Sequence, residues 1–330
     1  GGENSGGGRR LHGTGRRRSA PVGVRGAREL TGGRRRRRSG TDGYCVASET
    51  CALDLCKATY VRDVEPGEMI LVDRRTVETG TFSSLKLPQK FGTSQCIFEY
   101  VYFARPDSRV FGEYVTKVRR ELGRQLAREH PIPITPEGEP DPVVIPIPES
   151  AAHAVLGFYE ESIKMGRPCQ MDLGFFRNPY VGRSFISPSQ ELRDLKVLCK
   201  FNPMEHVLRD KTVVVIDDSI VRGTTAKALV SLIYQAGAKA VHVRISSPPV
   251  TDPCFYGMDF PSKEELLANK YGGNIDKMSE FLRVDSLGFL TPEGLVEAAT
   301  RSSETKHSFC RACFTGVYPV PVASHANTDW

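Results

Sequence analysis

The sequence predicts an α/β fold, a parallel sheet flanked by helices, and three stretches predict it. Val213–Ile216 is an unbroken β-branched run that ends in two carboxylates, Asp217 and Asp218. A run that is apolar at every position suits a strand buried on both faces. Ala228, Leu229, Leu232, Ile233 and Ala236 then recur at helical spacing, with Gly237 as a stop, and Val241, Val243 and Ile245 supply the next strand. Val143–Ile147, followed by the helical stretch Ala151–Ile163, is a second unit of the same kind. Ligands of such sheets lie beyond the carboxyl ends of the strands, so the loops after Ile147 and Ile216 are expected at one edge.

The loop after Asp218 holds Ser219, Arg222, Gly223, Thr224 and Thr225. Thr224 and Thr225 stand where the helix begins, so free backbone N–H groups and hydroxyls can hold an anion there. Gly223 permits close backbone approach. Two carboxylates at contact distance would repel a phosphate, so Asp217 and Asp218 suit sugar hydroxyls or Mg²⁺. A solvated acidic turn is the plainer alternative. The segment lacks the Gly-Lys-Ser/Thr end of a P-loop.

Charge is unevenly spread. The net charge is +6, but twelve Arg and two Glu place +10 in residues 1–40 and leave −4 for the rest. Residues 1–42, Gly- and Arg-rich, are expected to be disordered. Arg34–Arg38 is a solvated charge run before it is a nucleic-acid patch, and a nucleic-acid partner is not expected. No apolar run reaches membrane-spanning length, and no membrane partner is expected. Nine cysteines without an apolar leader argue against a disulfide framework. Cys310 and Cys313 form the lone C-x-x-C, which suits half a zinc site, a redox pair, half an iron–sulfur site, or nothing.

Elsewhere, Tyr44–Leu55 and Arg62–Val72 are expected as short strands, with a turn at Pro66–Gly67. Cys96–Arg105 is an aromatic, strand-like run. Val118, Leu122 and Leu126 mark a helical face stopped by Pro131, with Arg119, Arg120, Arg124 and Arg128 on a solvated face. Residues 177–200 form a long loop, as lids and binding loops do. In it, Arg183 and Lys200 are candidates for a phosphate or pyrophosphate, or surface solubility residues. Helical segments follow at Lys263–Asn269 and Asn274–Leu282.

I-D-D-S-I-V-R-G-T-T, C-I-F-E-Y-V-Y-F-A-R-P-D-S, P-S-Q-E-L-R, S-S-P-P-V, P-C-F-Y-G-M-D and C-R-A-C-F-T-G-V-Y-P all occur between Tyr44 and Pro319. The first resembles the phosphoribosyl pyrophosphate (PRPP) loop of type I phosphoribosyltransferases. Together they resemble the amidophosphoribosyltransferase family, which makes 5-phosphoribosylamine and pyrophosphate from PRPP and glutamine at the start of purine biosynthesis.

The resemblance implies a type I phosphoribosyltransferase fold at residues 79–300. It also implies a C-terminal remnant of an N-terminal-nucleophile glutaminase domain at 43–78 and a C-x-x-C segment at 301–330. Asp217 and Asp218 match the acid pair at Mg²⁺ and the ribose hydroxyls, and Ser150 matches a third Mg²⁺-associated position. Ser219–Thr225 match the 5-phosphate cradle, and residues 177–200 the closing loop. Cys96, Cys254, Cys310 and Cys313 match the ligands of a 4Fe–4S cluster in one branch of the family. The family also implies ammonia as co-substrate, purine nucleotides as feedback inhibitors, a homo-oligomer, and a cytoplasmic location, or a plastid in a plant or alga.

Three departures stand out. The family's glutaminase nucleophile is an N-terminal Cys, whereas this chain starts at Gly1 and its first cysteine is Cys45, so no glutaminase activity is expected. Pro179 and Leu198 replace basic residues of the closing loop. A non-catalytic PRPP or nucleotide sensor, or an inactive fragment, is the competing expectation.

Overall fold

The computed structural model describes residues 23–27, 44–79, 81–88, 91–180, 199–301 and 308–321. Its centre is a five-stranded parallel sheet: β1 (Val143–Pro146), β2 (Gln170–Met171), β3 (Thr212–Asp217), β4 (Ala240–Ile245) and β5 (Ser286–Phe289), in the order β2-β1-β3-β4-β5. β3 lies between β1 and β4, with Val213 opposite Val143 and Val241.

The unbroken apolar runs follow from burial on both faces. Val144, Val214 and Ile216 point to one core, shared with helices α1 (Val115–Glu129), α2 (Ala152–Lys164) and α5 (Pro292–Thr300). Val143, Ile145, Val213, Val215, Val241 and Val243 point to the other, shared with α3 (Thr224–Gln235) and α4 (Ile275–Leu282). Successive residues alternate between two dry layers, so neither parity is polar. Gly237 adopts φ +90° just past α3, as a left-handed helix stop does.

α1 and α2 pack unusually closely through one glycine each. A Cβ at Gly123 would stand 1.9 Å from the Ala154 carbonyl oxygen, and one at Gly157 1.8 Å from that of Arg120. The arginines of α1 are not a solvated face. Arg119 is 4% exposed and donates to the carbonyls of Tyr100 and Ala104, both at 2.8 Å. Arg120 and Arg124 bind Glu160 of α2, and Arg128 binds Glu161. Four arginines at helical spacing look solvated only until a second helix brings their acids.

Arg119 also explains a second difference. Cys96–Arg105 is not a strand: Gln95–Cys96 pairs in parallel with Phe309–Cys310, and Glu99–Phe103 turns as a π-helix. Phe98 and Tyr100 are buried, and the Tyr100 hydroxyl donates to the Val110 carbonyl at 2.7 Å. Aromatic β-propensity yields here to a buried guanidinium that collects the carbonyls of an irregular turn.

The N-terminal unit departs from expectation twice. Gly23–Ala27, inside the segment expected to be disordered, is the central strand of an antiparallel sheet between Tyr44–Ala47 and Ala58–Asp63. Its backbone fills the ladder between two strands that do not pair with each other. Thr50–Leu55 is a helix rather than a strand, with Leu53 fully buried beneath it. The turn at Pro66–Gly67 forms as read: Glu68 N–H donates to the Glu65 carbonyl, and Glu68–Leu71 pairs with Ser83–Lys86.

Gly123→Ala or Gly157→Ala forces the α1–α2 backbones apart and should cost about 1–3 kcal/mol, read as a lower melting temperature. A pH effect comes from His130 and His242. Burial first, then the charge of Arg244, holds both imidazoles below their ordinary value of 6.5 in the folded state. Their contribution to stability is full above that value and is lost as pH falls through the lowered folded values. Urea melts at pH 7.5 and 5.5 should show the loss, and His242→Gln should diminish it.

Candidate active site

The site lies where the sheet order reverses, between the carboxyl ends of β1 and β3, the switch point at which open parallel sheets bind ligands. β1 delivers the Pro148–Ser150 turn, and β3 ends on Asp217. The Ile147 N–H donates to the Ile216 carbonyl at 2.9 Å, so the two loops leave the sheet side by side.

Three of the expected Mg²⁺ or ribose residues converge. The Ser150 side chain is close enough to both Asp217 and Asp218 to lower their carboxyls against burial. Asp218 N–H donates to Asp217 Oδ1 at 2.9 Å, and the Ser219 hydroxyl donates to Asp218 Oδ1 at 2.7 Å. Asp218 is 5% exposed. Burial raises both carboxyls above their ordinary range, and for Asp217 the neighbouring Asp218 adds to it. The hydrogen bonds and the charge of Arg119 pull Asp218 partly back. Arg119 carries no mark in the sequence: on a helix of charged residues, only its place under the acid pair distinguishes it.

The phosphate-loop residues divide. Gly223 sits at φ +78° at the N-cap of α3, where a Cβ would press on Leu267 and Phe281 at 3.1–3.2 Å. Thr224 and Thr225 open the helix exposed, beside its free amides. Arg222 turns away, its Nε 2.8 Å from Glu265 Oε2, so its guanidinium is engaged outside the cradle.

The long loop springs from a two-stranded ribbon, Phe175–Arg177 against Phe201–Pro203. Lys200 lies at its base, with Nζ 5.1 Å from the centre of the Phe201 ring. Arg177 pairs with Glu149, tying the ribbon to the β1 loop. Neither partner was singled out from sequence, because the pair joins loops far apart in the chain. Pro179 falls in the turn after the ribbon. Arg183 and Leu198 lie outside the described residues.

Away from the sheet edge, Cys96, Cys254, Cys310 and Cys313 line one cavity of about 310 Å³, walled by Phe98, Met258 and Phe260. Burial pushes the Cys96 thiol up to about 12 and also raises those of Cys310 and Cys313. The Tyr256 N–H donates to the Cys254 sulfur at 3.4 Å, and the backbone amides of Phe98 and Ala312 partly offset burial at Cys96 and Cys310. Among the described residues, no three His, Cys, Asp or Glu side chains converge as ligands of a single metal ion. Among the same residues, no helix is long and apolar enough to cross a membrane.

Because Asp218 is raised when folded, its ionisation opposes folding, and stability present at acid pH is lost as pH rises through the raised value. Asp218→Asn should therefore melt above the parent at pH 8 in chelator, and the gain should shrink toward pH 4. Calorimetry across that range checks it.

No family model matches the chain. The amidophosphoribosyltransferase of Mycobacterium tuberculosis is 46% identical over 282 residues, covering 84% of this chain and 49% of that protein. Amidophosphoribosyltransferase 1, chloroplastic, of Arabidopsis thaliana is 47% identical over 296 residues, covering 89% and 48%. Glutamine PRPP amidotransferase from Bacillus subtilis, solved in complex with ADP and GMP, superposes with a TM-score of 0.74 at 38% identity, covering 93% of this chain and 60% of that one. The chain spans about half the length of the curated relatives it matches. Across that span, its sheet is that of the type I phosphoribosyltransferase fold, and the chain belongs to the amidophosphoribosyltransferase family.

Proposed function

We propose that this chain carries out the phosphoribosyl-transfer step of amidophosphoribosyltransferase chemistry, in which ammonia displaces pyrophosphate from C1 of PRPP to give 5-phosphoribosylamine. The observation that carries this reading is the junction of β3 and α3. A hydrogen-bonded, mostly buried acid pair lies six residues before a left-handed glycine that opens a helix N-terminus.

The division of labour follows from charge. The amides and hydroxyls of Thr224 and Thr225 hold the 5-phosphate, with Ser219 at the start of the same loop. Asp217 and Asp218, kept apart from that phosphate, accept hydrogen bonds from the ribose hydroxyls. Their negative charge faces the ring as it becomes positive on loss of pyrophosphate, and positioned charge of this kind lowers the barrier. Ser150, Asp217 and Asp218 would hold Mg²⁺, and their oxygen-only donor set fits a hard cation. Mg²⁺, when bound, offsets the pyrophosphate charge. The Arg177–Glu149 pair anchors one strand of the closing loop, and Arg183 and Lys200 are its cations for the pyrophosphate. Pro179 and Leu198, where the family has basic residues, should weaken PRPP binding by about 1–3 kcal/mol each.

The four-cysteine cavity is proposed as a 4Fe–4S site. Four thiols around one apolar cavity, one of them accepting a backbone N–H bond from Tyr256, suit what such a cluster asks of a protein. Once coordinated, the sulfurs are thiolates, and the cluster supplies a covalent tie among Cys96, Cys254, Cys310 and Cys313.

Purine nucleotides are proposed as feedback ligands, supported by the Bacillus subtilis relative solved with ADP and GMP. The assembly is proposed to be a homo-oligomer. The cytoplasm is the proposed location, with a plastid as the alternative supported by the chloroplastic Arabidopsis relative.

Purified protein given PRPP, Mg²⁺ and ammonium should release pyrophosphate, and Asp217→Asn should lower the rate by about 100-fold. No release from a folded, cluster-loaded sample overturns the reading. Cys310→Ser should lose the visible iron–sulfur absorbance of the anaerobically reconstituted protein; an unchanged spectrum removes the cluster assignment.

A further inference from the structure

The four-cysteine cavity is closed in part by the chain that follows its last cysteine. The short Ala312–Thr315 helix carries Cys313 and ends at Gly316, where the backbone bends at φ +69°. Beyond that bend, Pro319 and Val320 form part of the cavity wall. Two tyrosine hydroxyls hold them there. That of Tyr256 donates to the Val320 carbonyl at 2.7 Å and accepts from the Val320 N–H at 3.1 Å. That of Tyr318 donates to the Pro253 carbonyl at 2.7 Å. The Tyr318 ring also packs against those of Phe255 and Tyr256, with centres 5.2 and 6.0 Å apart.

The two sides of this closure are fixed to different degrees. The segment leading to Tyr256 is anchored: the N–H groups of Thr251 and Asp252 donate to the Cys313 carbonyl at 2.9 and 3.1 Å, and the Tyr256 N–H donates to the Cys254 sulfur. Tyr318–Val320 belongs to no helix or strand. Among the described residues, its hydrogen bonds to the rest of the domain all pass through the two tyrosine hydroxyls.

We propose that Tyr318–Val320 is a lid latched over the four-cysteine cavity, and that release of the Tyr256 and Tyr318 hydroxyls admits reagents to its thiols. A segment without secondary structure, held by so few bonds, opens locally while the core stays folded. Burial, and then the charge of Asp252, push the Tyr318 phenol up to about 12, so it remains a donor at neutral pH. Tyr256 serves both sides of the wall, with its N–H on the Cys254 sulfur and its hydroxyl on Val320. What fills the cavity and what closes it therefore meet at one residue. The inference concerns access to the thiols and depends on neither the transfer reaction nor the cluster assignment.

The test uses the full chain, metal-free and reduced, with N-ethylmaleimide as the probe and mass spectrometry to follow labelling at each cysteine. Tyr256→Phe and Tyr318→Phe keep the rings and remove the hydroxyls. Each should speed labelling of Cys254 and Cys310, by about tenfold for Tyr256→Phe, the scale of its two lost hydrogen bonds. Cys199, exposed and away from the cavity, should label at the parent rate in both. Unchanged rates at Cys254 and Cys310 overturn the lid. So does equal speeding at Cys51 and Cys169, which are buried and not part of the cavity wall, because it marks general loosening instead of a local latch.

Discussion

The parallel pairing of β1 with β3 is the constraint on which the rest of the domain depends. Val213–Ile216 lie beside Val143–Pro146, every one of these residues is buried, and both faces are covered. A slip of one residue would exchange two hydrophobic layers that are filled by different helices, so the register is strongly specified. With the register set, Ser150 and the acid pair meet without either loop having to search for the other. The geometry around the acid pair is a property of the sheet edge more than of the loops that decorate it.

A second layer of organisation comes from buried charge. Arg119 reaches from α1 to the carbonyls of Tyr100 and Ala104 while its charge acts on Asp218. Burying a guanidinium is costly unless its donors are engaged and an anion is near, and both conditions hold here. The price of that arrangement is an irregular π-turn after Cys96, which in turn places Phe98 against Phe260 and Phe314 beside the cysteine cavity. Two sites that share no residue are thus joined by one side chain.

What could be read in advance divides along physical lines. The buried strands were legible because burial on two faces leaves an unbroken apolar run, as at Val213–Ile216. The α3 start was legible because Gly223-Thr224-Thr225 is local chemistry. Clustering of Ser150 with Asp217 and Asp218 followed from topology, since successive parallel units share an edge. The roles of Arg119, Arg120 and Arg124 were not legible, because their partners lie on another helix or in a turn. The same holds for Arg222, whose acid, Glu265, is distant in sequence. Cys96–Arg105 misled because β-propensity is settled by neighbours rather than by the run itself.

The short parallel pairing of Gln95–Cys96 with Phe309–Cys310 closes the domain by joining segments more than two hundred residues apart. Cys254 enters the same cavity from a loop, and Cys313 from the short Ala312–Thr315 helix late in the chain. A ribosome-bound intermediate holding both β1 and β3 already possesses the sheet edge that carries the acid pair, yet it has only one wall of the cysteine cavity. Contacts of such long range form late in folding. The cavity therefore records whether synthesis has passed Cys313: a product that stops short of it can build the edge that carries the acid pair, but it cannot seal the molecule around four sulfurs.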